Sequence, residues 1–178
     1  MKRLIRYIDT CASFGALLSA VFMVAGWLMI MAEIIMRSGF DSTLMITDEY
    51  SGYLMCALTF CALSYTLREK GHIRMTLIHK VIADRKRLYL DLICFLIGFG
   101  FCIAATVFAA RYFYDSLVTG SQSMQISETY LAIPQFFMPL GFGMMALQFV
   151  GEALKSILII KGDISGLKIG QESRELGR

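Results

Sequence analysis

Charge is what this sequence has least of. Asp, Glu, Lys and Arg make up 17% of its 178 residues, against 57% hydrophobic residues and a mean hydropathy of +0.62, whereas a typical soluble domain carries about 25% charge. That balance excludes an ordinary soluble domain. Histidine is nearly absent as well: His72 and His79 are the only two, and both fall in one polar stretch. A haem-holding bundle needs histidines facing one another inside its helices, so their position argues against haem. The five cysteines, Cys11, Cys56, Cys61, Cys94 and Cys102, include no C-x-x-C pair. A membrane thiol–quinone oxidoreductase needs closely spaced reactive thiols, so these five read as free and buried.

Four runs lack Asp, Glu, Lys and Arg altogether: residues 10–32, 50–67, 92–110 and 129–151. A helix of about 20 residues crosses a bilayer core of about 30 Å, so each run is long enough to span. Of the 17 Lys and Arg residues, only Arg37 and Arg111 fall on the side opposite the N-terminus. Because basic residues are retained in the cytoplasm, this asymmetry places both termini inside. Tyr50, Tyr112, Tyr114 and Tyr130 near one interface and Tyr7, Tyr65 and Tyr89 near the other form the matching aromatic belts. The expected fold is all-α, a polytopic membrane protein with four transmembrane helices, N-in and C-in. We expect one membrane domain over residues 1–160, with spans at about 10–36, 48–67, 88–112 and 131–155, and a disordered cytoplasmic tail at 161–178.

The connections carry the remaining signals. Glu33 and Arg37 lie four apart on one helical face and can pair at the outer end of the first span. That pair is a structural clasp, a contact to a partner subunit, or the site of a coupling carboxylate. Thr47 or Asp48 can cap the second helix, and Asp48 and Glu49 serve either its first turn or a partner docking outside. Between spans two and three, Met75, Ile78 and Ile82 recur at helical spacing beside basic residues, which predicts an amphipathic interfacial helix over 75–83 lying on membrane lipids. Gly98 and Gly100 offer the third helix a close approach, and Arg111 and Asp115 repeat the four-residue spacing at its outer end. Pro134 opens the fourth span where a missing N–H costs little, and Pro139 predicts a kink. No span carries a central carboxylate, histidine or arginine of the kind that marks an ion path. Neither enzyme chemistry nor a cofactor, metal or nucleic acid is indicated.

The order Glu33-x3-Arg37, Asp48-Glu49-Tyr50 opening helix two, Arg68-x3-His72-Ile73 after it, and a proline-led fourth helix resembles the small membrane subunit of tripartite ATP-independent periplasmic (TRAP) transporters, the DctQ-like family. The resemblance covers residues 1–160. It implies a scaffold, or stator, subunit of a sodium-driven importer of organic acids in a bacterial inner membrane. The implied partners are a large TRAP membrane subunit, which this chain would brace, and a periplasmic substrate-binding protein. On that implication Glu33, Arg37, Asp48 and Glu49 lie near the surface the binding protein approaches, and Arg68 and His72 anchor the inner side. Gly52 departs from the pattern, since relatives often place an arginine there. The competing expectation is a self-sufficient, proton-coupled small multidrug-type transporter acting as a homodimer.

Overall fold

The computed structural model describes residues 2–69 and 84–160. The interfacial helix expected over 75–83, His72 and the tail at 161–178 lie outside the described residues. Five helices follow in order: α1 (Lys2–Phe40), α2 (Thr47–Arg68), α3 (Asp84–Thr119), α4 (Ala132–Gln135) and α5 (Phe137–Ile160). Among the described residues there is no strand, and a single antiparallel bridge joins Gln122 to Tyr130.

Three stretches, Arg3–Phe40, Leu90–Thr119 and Ala132–Leu158, are long and apolar enough to cross a membrane. At 39 and 36 residues, α1 and α3 reach about 58 and 54 Å at 1.5 Å per residue, so both overshoot a hydrocarbon core of about 30 Å. The 22-residue α2 has the length of a span but is more polar, with Ser51, Thr59, Ser64 and Thr66 along it. Its position accounts for that: α2 packs against both α1 and α5, while α1 and α3 form the flanks. Large apolar side chains of the flanking helices point outward, among them Phe14, Leu17, Trp27, Leu96, Phe101 and Phe108, whereas on α2 only Tyr50 and Met55 are exposed.

α5 sits centrally and touches α1, α2 and α3. In lipid, helices gain little from hiding apolar surface, so close contact has to hold them together. Glycine permits that contact. A Cβ on Gly141 of α5 would lie 2.5 Å from the Phe60 carbonyl oxygen of α2, and one on Gly15 of α1 would lie 2.6 Å from that of Cys61. Phe60 then packs edge-on against Phe142 at 5.1 Å. Toward the α1–α2 connection, Phe22 of α1 meets Phe137, which meets Phe136, which meets Phe113 of α3, at ring separations of 5.3, 5.9 and 5.8 Å. Of the two glycines expected to serve α3, Gly98 lies under the Phe149 ring and Gly100 faces open space.

Several local expectations need correcting. No side chain caps α2: Ile46 holds the cap position and Thr47 starts the helix. Arg111 and Asp115 are both exposed and make no ion pair with each other. All five thiols are free, but Cys11 and Cys94 are exposed and Cys56 is only partly covered, because they fall on outward faces of their helices. Near the prolines the chain breaks between α4 and α5 at Phe136, three residues before Pro139, whose ring nitrogen has no hydrogen to offer the Gln135 carbonyl. Pro134 is buried in α4.

The close approach of α2 and α5 is open to direct measurement. Gly141→Ala pushes a methyl group into backbone, and overpacking of this kind costs about 1–3 kcal/mol. We expect it to lower the apparent melting temperature in mild detergent, while Gly100→Ala, which meets nothing, leaves it unchanged.

Candidate functional site

Polar side chains collect at the two ends of the helix array. At the end that the charge pattern predicts to be the outer one, opposite the expected inner end, a short connection, residues 41–46, turns α1 into α2, with Asp41 and Met45 at φ of 46° and 36°. Positive φ is unfavourable for both residues, so other contacts must hold this turn. Glu33 supplies them. One carboxylate oxygen accepts from Arg37 Nη2 at 3.0 Å. The other accepts from the Leu44 backbone N–H at 2.9 Å and the Thr47 hydroxyl at 3.1 Å. The predicted pair with Arg37 is thus one of three contacts, and Glu33 fastens the turn and the start of α2 to α1.

The neighbouring acids, expected to act as a pair, separate. Asp48 is exposed, and its carboxylate has no partner among the described residues. Glu49, only 6% exposed, turns inward and accepts from the hydroxyls of Tyr53 and Ser127. Ser127 also bonds Thr129 at 2.9 Å, and Thr129 bonds the Tyr50 hydroxyl at 3.0 Å. Residues 121–131 are thereby stitched to α2, with two backbone bonds, Ser123 N–H to Thr129 C=O at 2.9 Å and Leu131 N–H to Ser121 C=O at 3.0 Å, closing the loop on itself. Gly120, at φ +63°, ends α3 as the left-handed residue of a Schellman turn whose Ser121 N–H bonds the Ser116 carbonyl at 3.2 Å. Gly52 faces open space. Three hydroxyl-bearing residues, Tyr53, Ser127 and Thr129, serve the Glu49 network.

The inner end holds a cluster that sequence reasoning missed. Lys155 Nζ lies 2.9 Å from Asp9 Oδ1 and 2.8 Å from Glu152 Oε1. The Gln148 amide nitrogen donates to the same two oxygens at 3.2 and 3.1 Å. Gln148 is fully buried, and Glu152 and Lys155 nearly so. The spacing 148, 152, 155 puts all three on one face of α5, which was the available signal. Glu152 and Lys155 follow the uncharged run 129–151, and Gln148 is a polar residue inside it.

Arg68 joins the same end. Its Nη1 donates to the Asp9 carbonyl at 2.7 Å and to Ser13 Oγ at 2.6 Å, so the end of α2 is tied to the start of α1. Its other nitrogens hold Glu69 at 3.1 and 3.0 Å, and the guanidinium lies 4.6 Å from the centre of the Tyr65 ring. Of the residues singled out from sequence, the structure brings Glu33 and Arg37 together. It sets Asp48, whose carboxylate has no partner among the described residues, beside the hydrogen-bonded Glu49, and holds Arg68 at the opposite end and Pro134 buried in α4. Among the described residues no group of His, Cys, Asp and Glu is arranged to hold a metal ion.

Removing one partner of a buried ion pair leaves an uncompensated charge at a cost of about 3–5 kcal/mol. Lys155→Met is therefore expected to destabilise the detergent-solubilised protein sharply, and the double variant Lys155→Met/Glu152→Met to recover part of the loss, as read by thermal aggregation. At the outer end, Glu49→Ala is expected to speed hydrogen exchange across residues 121–131, and Asp48→Ala to leave it unchanged.

No curated protein matches the chain. Residues 26–158 match the family model described as Tripartite ATP-independent periplasmic transporters, DctQ component, a stretch that runs from the later part of α1 nearly to the end of α5. The match includes the whole outer cluster and three of the four residues of the inner one. By that match along about three quarters of its length, the chain belongs to the DctQ family, the small membrane component of TRAP transporters.

Proposed function

We propose that this component works as a stator: it braces the large membrane subunit of a sodium-driven importer of organic acids, in a bacterial inner membrane, without handling the substrate itself. One observation carries the reading. The ion pairs of the described helices sit at the two ends, and the stretches between them, residues 14–32, 54–64 and 94–110, contain no ionisable side chain other than cysteine. A path for ions or carboxylates needs polar groups at mid-membrane. An element that stays still while another moves needs rigid ends and apolar flanks instead.

In this reading residues 1–160 are one membrane domain of four spans with both termini inside, α2 being the fourth span despite its polarity. The stretch at 75–83 lies along the inner surface. Arg68 and His72 anchor that side, and Glu33, Arg37, Asp48, Glu49 and Pro134 shape the outer side, where the substrate-binding protein docks. The homodimeric exporter would require a free carboxylate in a span. Glu33 already has three donors and lies at a span end, so nothing favours that alternative.

Purification of the tagged chain from its native membrane in mild detergent, followed by mass spectrometry, addresses this directly. Recovery of a large polytopic protein in equal amount is the expected result. Recovery of the chain alone as a stable homodimer would overturn the stator reading.

A further inference from the structure

A cavity of about 200 Å³ opens on the outer end between the α1–α2 connection and the tip of the 121–131 loop. Glu33, Arg37, Met45, Thr47, Asp48 and Ile126 line it. We propose that this cavity receives a Lys or Arg side chain from a soluble protein, which lays an apolar patch over the lip formed by Met45, Met124 and Ile126. The proposal rests on the docking reading above and names the chemistry of the docked surface.

The two acids on the cavity wall play different parts. Glu33 has its oxygens filled by Arg37, Leu44 and Thr47. Asp48 is exposed and carries no partner among the described residues, so it is the group left to meet an incoming cation. The wider surface has the same sign: Asp41, Asp48, Asp115 and Glu128 are exposed at this end, against Arg37 and Arg111. An acidic face repels anionic headgroups and attracts a basic protein surface, which separates a protein occupant from a lipid one.

The lip is apolar where water would ordinarily select polar residues. Met124 is fully exposed, Ile126 is 75% exposed and Met45 66%. They stand on the connecting loops, next to the charged residues that end the helices. Ordinary loop tips carry small polar residues, and exposed apolar groups rimmed by charge mark contact surfaces. Methionine suits such a lip because its unbranched thioether adapts to a partner's shape. The surface is also formed in advance: Glu33 fixes one wall, and Glu49, through Ser127, fixes the loop that carries Met124 and Ile126. A partner therefore has little ordering left to do, which favours affinity.

The test uses the complex of this chain with its large subunit in lipid nanodiscs, and the transporter's own substrate-binding protein as probe, with Kd read by biolayer interferometry across a salt series. Asp48→Lys should weaken binding about tenfold at low salt and by less at high salt, as expected for a charge at an interface rim. Met124→Ser/Ile126→Ser should weaken it by a similar factor with little salt dependence, and both variants should still co-purify with the large subunit. If both bind as the wild type does, while the wild-type complex binds more tightly than the large subunit alone, docking by this chain stands and this surface is not its site. If the large subunit alone binds as tightly as the complex, the docking reading fails, and the proposal with it. Variants that keep protein affinity but lose association with phosphatidylglycerol vesicles would assign the lip to lipid and overturn the proposal.

Discussion

A charge inside a bilayer has to bring its own partner, and most of this chain's architecture answers that constraint. The protein meets it by sending charge to the helix ends and pairing what remains partly buried. Lys155 is the clearest case: one ammonium serves Asp9 of α1 and Glu152 of α5, with the Gln148 amide filling in beside it. Since hydrocarbon offers no alternative donors or acceptors, such contacts are hard to exchange for solvent. They fix α1 against α5 in register, and Arg68 does the same for α2 against α1. Between the ends, glycine contacts and aromatic edges complete the packing without any charged group.

The two outer acids show how one residue type yields two outcomes. Glu33 and Glu49 each sit near a connection, and each takes hydrogen bonds from residues far along the chain, which makes them fasteners of loops. Asp48, one residue from Glu49, faces the other way. In a helix, consecutive side chains lie about 100° apart, so adjacent acids rarely share a role.

Much of this was legible beforehand. The uncharged runs and the placement of basic residues predicted the helices and the two polar ends, because hydropathy and charge act locally. The Glu33–Arg37 contact followed from four-residue spacing. The Ser127 partner of Glu49 did not follow, since it lies 78 residues away and no periodicity links a loop serine to a helix acid. Asp9 and Lys155 escaped for the same reason, 146 residues apart. The capping expectation at Thr47 or Asp48 failed because α2 starts earlier, with Ile46 at the cap position and Thr47 already inside the helix, where its hydroxyl donates to Glu33 instead. The exposed thiols were misjudged by treating an apolar run as buried; in a membrane, an apolar residue faces lipid as readily as protein.

That last point bears on how such a subunit finds its place. Among the described residues, α1 and α3 leave their outward faces free of helix neighbours, and lipid covers such faces about as favourably as another protein would. Apolar area alone therefore cannot select a partner in the bilayer. Selection has to come from shape along the flanks and from polar groups at the ends, where charge and hydrogen bonding discriminate. The inner cluster is closed on itself and serves this chain. The end at the α1–α2 connection keeps Asp48, unpaired among the described residues, beside exposed apolar side chains, so the free recognition chemistry of the described residues lies on that side.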